Sequence, residues 1–129
     1  MSWQADIYQA ATTDQGVSAL VGSRVYWEVA DGDTVAPYVV LQCVSGSGET
    51  CHDGSRDVSF PLLQVTAWAA KKLDAVNLMT EIRNALEGKN LPGNSNVSLG
   101  YSGEDSGYEQ QTKLFSESID FRVSTNTNN

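Results

Sequence analysis

The sequence predicts an α+β domain with a mostly antiparallel sheet, its elements in the order α-β-β-β-α-β-β, and one long helix packed on that sheet. Three observations lead there. Five segments carry strand chemistry, one long segment carries apolar residues at helical spacing, and the strands lack the strand-helix-strand alternation of a doubly wound sheet. A length of 129 residues, 40% of them hydrophobic, fits one small domain. Residues 1–123 are read as that domain. Residues 124–129, STNTNN, have no hydrophobes to bury and are expected to form a disordered tail.

Residues 5–14 place Ile7, Ala10 and Ala11 at helical spacing ahead of Gly16, a breaker, so a short first helix is expected. After Gly22, Val25, Trp27 and Val29 alternate with Tyr26 and Glu28, the period of a strand over residues 24–29. Asp31-Gly32-Asp33 and Pro37 make a loop, since glycine supplies positive φ and proline turns its predecessor away from helix. Residues 38–44, YVVLQCV, are apolar or β-branched at nearly every position, which fits a strand buried on both faces. Residues 45–57 contain Gly46, Gly48 and Gly54 and no apolar run, and read as a long hairpin loop. In the third strand Val58, Phe60 and Leu62 share one parity and Leu63, Val65 and Ala67 the other. Pro61 cannot donate to a ladder, so a bulge or an edge is expected near it.

Leu73, Val76, Met79, Ile82 and Leu86 recur every three or four residues, with Asp74 in the first turn and Gly88 past the end. This is the long helix, its stripe turned to the sheet. Residues 89–96 form a loop, Val97, Leu99 and Tyr101 alternate into a fourth strand, and residues 102–112 (SGEDSGYEQQT) form a second polar loop. In the last strand Phe115, Ile119, Phe121 and Val123 face one way while Ser116, Ser118, Asp120 and Arg122 face the other. It has a core side and a wet side.

Lys+Arg 8 against Asp+Glu 16 leaves a net charge of -8, and Lys71-Lys72 is the one adjacent basic pair. Phosphate backbones are repelled on average and no basic stripe offsets this, so nucleic-acid binding is not expected. A single histidine, His52, excludes chemistry that needs two imidazoles and any multi-histidine metal site. No run approaches the roughly 20 apolar residues that cross a bilayer. The start MSWQADIYQAATT has neither part of a signal peptide, so the cytosol, or a particle assembled there, is the expected place.

No catalytic, cofactor-binding or metal residue is assigned. Cys51-His52-Asp53 holds a nucleophile, a base and a carboxylate, but loop neighbours do not point at one another as a triad must. With the turn near Cys51, Cys43 faces the opposite strand near Ser59. Cys43 is therefore read as buried and Cys51 as a loop residue, both reduced. Gly46-Ser47-Gly48 lacks the helix N-terminus that completes a phosphate cradle, and the turn carboxylates match no calcium loop. Trp27 and Trp68 are read as core. Two-faced apolar strands in so small a domain leave apolar surface to cover, which argues for subunit contact. Both polar loops exceed the about 2 to 5 residues a hairpin needs. They supply the candidate assembly contacts, Arg56 and Asp57 in the first and Glu104, Asp105 and Tyr108 in the second.

The segments LVGSRVYWEVA, APYVVLQCVSG, LLQVTAWAAKKLDAVNLMTEIRNALEG and YEQQTKLFSESIDFRV, in this order, resemble the tail-completion, or tail-terminator, family of long-tailed bacteriophages. The resemblance runs from about Tyr8 to Val123 and carries residues 20–26, 37–46, 64–68 and 115–123 as scaffold. Trp27 stands where a proline often follows the tyrosine in that family. The resemblance implies a structural virion protein, not an enzyme and without cofactors. It would form a six-fold homo-oligomeric ring on the head-proximal end of the tail tube, terminate the tube and meet the head connector, assembled in the host cytoplasm. Its partners would be the tail-tube protein and the connector, with no membrane and with DNA passing through the lumen unbound, as an acidic wall allows. Two other readings of the residues stay open. One is another head-tail joining or tail-tube subunit, which would build fibres if its contacts do not close. The other is a small cytosolic enzyme, which would need a pocket with convergent polar groups.

Overall fold

The structure, a computed structural model, describes residues 3–30, 35–44, 62–87 and 97–125. Their elements are α1 (Trp3–Thr13), α2 (Gln15–Val21), β1 (Val25–Trp27), β2 (Tyr38–Val44), β3 (Leu62–Ala69), α3 (Lys72–Leu86), β4 (Val97–Glu109) and β5 (Leu114–Thr125). The five strands form one sheet in the order β1-β2-β3-β5-β4.

The class is α+β, but the sheet is mixed rather than mostly antiparallel, and there is a helix more than the sequence suggested. β1 runs parallel to β2, while β2–β3, β3–β5 and β5–β4 are antiparallel. Strand chemistry in residues 24–29 carries no information about direction, which explains the miss. The additional helix, α2, follows from capping. The Asp14 carboxylate accepts from the Val17 N–H at 3.0 Å, a contact typically worth about 1 kcal/mol, and Gly22 ends the helix at φ 61. Gly16 is not a breaker but lies in the first turn, where a Cβ would run into the Glu81 carboxylate of α3. Glycine there lets α2 lie close to α3.

All three helices pack on one face of the sheet. Phe121, Ile119, Val65, Leu63, Val39 and Leu41 on that face meet Ile7, Val17, Val21, Leu78, Ile82 and Leu86 from the helices. Along β3 the alternation is complete, with Leu63, Val65, Ala67 and Ala69 buried and the residues between them half-buried. The stripe of α3 is rotated from the expected one. Ala75, Leu78, Met79, Ile82, Ala85 and Leu86 are buried, whereas Leu73 is 67% and Val76 37% exposed. At 3.6 residues per turn Leu73 lies about 180° round the helix from Ile82. The two alanines on the packed side let the helix approach the sheet.

Two expected irregular segments are strand. Residues 102–109, read as loop, continue β4, leaving a turn at residues 110–113 between it and β5. The fourth strand thus extends well past Tyr101, with a register shift between Tyr101 and Gly103. Ser124 and Thr125, read as tail, pair with Ser98 and Val97. In both places pairing in the β4–β5 ladder replaces the hydrophobic pattern as the cause of order. Cys43 is disulfide-bonded, not a reduced buried thiol, and the one other cysteine of the chain is Cys51. The expected bulge at Pro61, the loop at residues 89–96, the Gly46-Ser47-Gly48 tip, His52 and the last four residues lie outside the described residues.

Candidate functional site

The second face of the sheet has no helix over it among the described residues. Register gives its composition directly, because residues paired across strands point to the same side. One row reads Tyr26, Val40, Thr66, Ser118, Asp105; the next reads Tyr38, Trp68, Ser116, Gly107. On the far side of the first row come Gln42, Gln64, Asp120, Gly103, and then Leu62, Arg122, Gly100. Trp68, expected in the core, therefore lies half-buried on this outer face, whereas Trp27 packs against the core.

The aromatic residues cluster. Tyr26 meets Tyr38 edge-on at 6.3 Å between ring centroids, and Tyr38 stacks on Trp68 at 6.4 Å. Thr66 and Ser118 hydroxyls lie 3.3 Å apart in the adjoining row. Burial, then the Glu109 carboxylate, then Tyr26 push the Tyr38 phenol above its ordinary 10.0. A raised phenol leaves stability intact below pH 10 and removes it as pH rises through the folded value, because the fold resists the phenolate. Ultraviolet titration of the protein against Tyr38→Phe should show the Tyr38 phenol ionising above pH 10, and Glu109→Gln should move it down. An unchanged titration in Glu109→Gln would separate the two groups.

On the helix-covered side, ion pairs tie the hairpin of β4 and β5 to both ends of α3. Lys72 Nζ lies 2.6 Å from Glu117, whose carboxylate also accepts from the Ser106 hydroxyl at 2.9 and 3.0 Å. Arg83 pairs with Glu87 at 2.7 Å and Glu104 at 3.7 Å, and its guanidinium lies 5.1 Å from the Tyr101 ring centroid. The hydrogen bond to Glu87 is the main cause of a guanidinium pKa raised beyond its usual value. Such exposed pairs add little stability singly. They do fix the hairpin on the helix.

The expected assembly contacts are not brought together. Glu104 and Tyr108 point to the helix side of β4, the first toward Arg83 and the second against Phe115 at 4.7 Å, while Asp105 points to the open face. Arg56 and Asp57 lie outside the described residues. Sequence reasoning missed Tyr26, Tyr38, Val40 and Trp68 as one surface. The signal was the parity of Leu62, Gln64, Thr66 and Trp68, which are mixed in character where their neighbours are uniformly apolar. Among the described residues no group of three His, Cys, Asp or Glu side chains could hold a metal ion, and no helix is long and apolar enough to cross a membrane.

Phenols, an indole, amides and hydroxyls are spread over this sheet face. The chain belongs to the family of Tail completion protein gp17, which it matches over residues 5–126. It is a structural protein of the phage tail. A chain in the virion of a native gene transfer agent (GTA) particle shares the fold, with a TM-score of 0.72, 20% identity, and 96% of this chain and 94% of that one covered. Among curated proteins no match is found.

Proposed function

We propose that the protein caps the head-proximal end of the phage tail tube as a six-fold ring, ends tube growth there and joins the tail to the head connector. The observation that carries this reading is the family match over residues 5–126, on a fold whose described residues keep their helices on one side of the sheet. In this role the chain performs no catalysis and holds no cofactor. Its partners are other copies of itself, the tail-tube protein and the connector, and it is assembled in the host cytoplasm. DNA passes through the lumen without binding, which a net charge of -8 per copy favours.

Mass measurement in solution and on isolated tail tubes tests the oligomer. Six copies per tube end are expected, and a protein that stays monomeric in both settings contradicts the reading. A ring found only on tubes agrees with it, since a template can assemble weak contacts. In gel-shift titration no binding to duplex DNA is expected at physiological salt. Tight, salt-sensitive binding would contradict the unbound passage of DNA.

A further inference from the structure

We infer that one end of the sheet face that carries no helix among the described residues is a receptor site for an arginine side chain of a different protein. The rings of Tyr38 and Trp68 flank the guanidinium on one side and the carboxylates of Asp105 and Glu109 on the other. This goes beyond the ring reading and does not depend on it. Register sets out the parts. Tyr38 of β2, Trp68 of β3, Ser116 of β5 and Gly107 of β4 form one row across the face. Asp105 and Glu109 stand on the same face two residues to either side of Gly107, each about 7 Å from it along the strand. Trp68 is two strands away from them, about 10 Å, and Ser116 and Gly107 put no bulk between.

A guanidinium suits both walls, since it lies flat on an aromatic face while its forked N–H groups donate to carboxylates. The rings hold one another in place, Tyr38 stacked on Trp68 at 6.4 Å between centroids and met edge-on by Tyr26 at 6.3 Å. Burial and then the Glu109 carboxylate keep the Tyr38 phenol above its ordinary range, which puts that carboxylate within electrostatic reach of the rings. The chain does not neutralise these acids. Glu109 accepts from the Thr112 hydroxyl at 3.0 Å. Lys71 and Lys113 belong to the same end of the sheet, yet among the described residues no ion pair reaches Asp105 or Glu109.

Charge says whose arginine it is. A net charge of -8 per copy makes an acidic patch attract a basic surface and repel a second copy. The arginines among the described residues are also engaged or badly placed. Arg24 donates from Nε to the Pro37 carbonyl at 3.0 Å, and Arg83 pairs with Glu87 and Glu104. Arg122 stands on this same face, six residues along β5 from Ser116. A second copy could offer it only by laying the same face on this one, a two-fold pairing. The guanidinium therefore comes from a protein of different sequence.

The test titrates the full chain with N-acetylarginine methylamide at constant ionic strength and follows the Tyr38 ring and Trp68 indole resonances by nuclear magnetic resonance. The neutral isostere N-acetylcitrulline methylamide is the control. Saturable shifts of both residues are expected with the arginine compound, and binding about tenfold weaker with the citrulline compound, as loss of a cation–π contact and its charge pairing implies. Asp105→Asn combined with Glu109→Gln should melt like the wild type and weaken arginine binding to the same degree. Trp68→Leu, read at Tyr38, should weaken it as well and supplies a second variant. Equal binding of the two compounds, full arginine binding by the carboxamide variant, or no shift at Tyr38 and Trp68 would overturn the site. Sedimentation decides the source. The carboxamide variant should keep the wild-type state of self-association, and a changed state would make the occupant a second copy and overturn the assignment to a different protein.

Discussion

Replacing Phe121 by alanine should cost about 3 to 5 kcal/mol, the range for emptying a fully buried aromatic position. Phe121 is 0% exposed and lies in register between Leu63 of β3 and Tyr101 of β4. Its ring thus spans the middle of the covered face, under the helices. Lost transfer energy and the remaining cavity both act against the fold, because a sheet anchored on both sides cannot collapse into the gap. For a domain of this size each kcal/mol moves the melting midpoint by about 3 to 6 °C. The loss is a large share of the about 5 to 15 kcal/mol by which such domains are stable. Denaturant titration with an unchanged slope measures it, and a cost under about 1 kcal/mol would mean that β5 presents its other parity to the helices.

Along α3 the expectation divides between two residues that the sequence pattern treats alike. Ile82→Ala should cost about 2 to 5 kcal/mol, since Ile82 is 1% exposed and part of the core cluster. Leu73→Ala should stay within about 0.5 kcal/mol, as an exposed substitution in a good helix position does. The pair measures the rotation of the helix about its axis. Reversed costs, large for Leu73→Ala and small for Ile82→Ala, would turn α3 by half a revolution and place Leu73 on the sheet.

Hydrophobic periodicity made much of the molecule legible. Residues 38–44 agree with the boundaries of β2, and the two sides of β5 are those its alternation indicates, with Ile119, Phe121 and Val123 buried. What could not be read depends on partners rather than on local chemistry. The direction of β1 is set by which strand it joins. The second half of β4, SGEDSGYE, has almost no apolar content and is ordered by its ladder with β5 and by Ser106 and Glu104 reaching Glu117 and Arg83. Leu73 was misplaced because a three-to-four spacing can be started on either of two overlapping stripes, and the alanines at 75 and 85 conceal the true one. The placement of the candidate contacts in the second polar segment was hidden for a related reason. Polarity and length marked residues 102–112 as exposed, but only register shows that Asp105 faces one side of the sheet and Glu104 and Tyr108 the other. The aromatic surface of Tyr26, Tyr38 and Trp68 draws on three strands distant in sequence, and no local pattern joins them.

Electron microscopy of the purified protein mixed with tail tubes of the phage that encodes it tests the central claim most directly. A single added ring of density at one end of each tube, the end that meets the head, with tube length no longer increasing when free tube subunits are supplied, is the predicted result. Density distributed along the tube, continued growth from the occupied end, or bare tubes at saturating protein would contradict it.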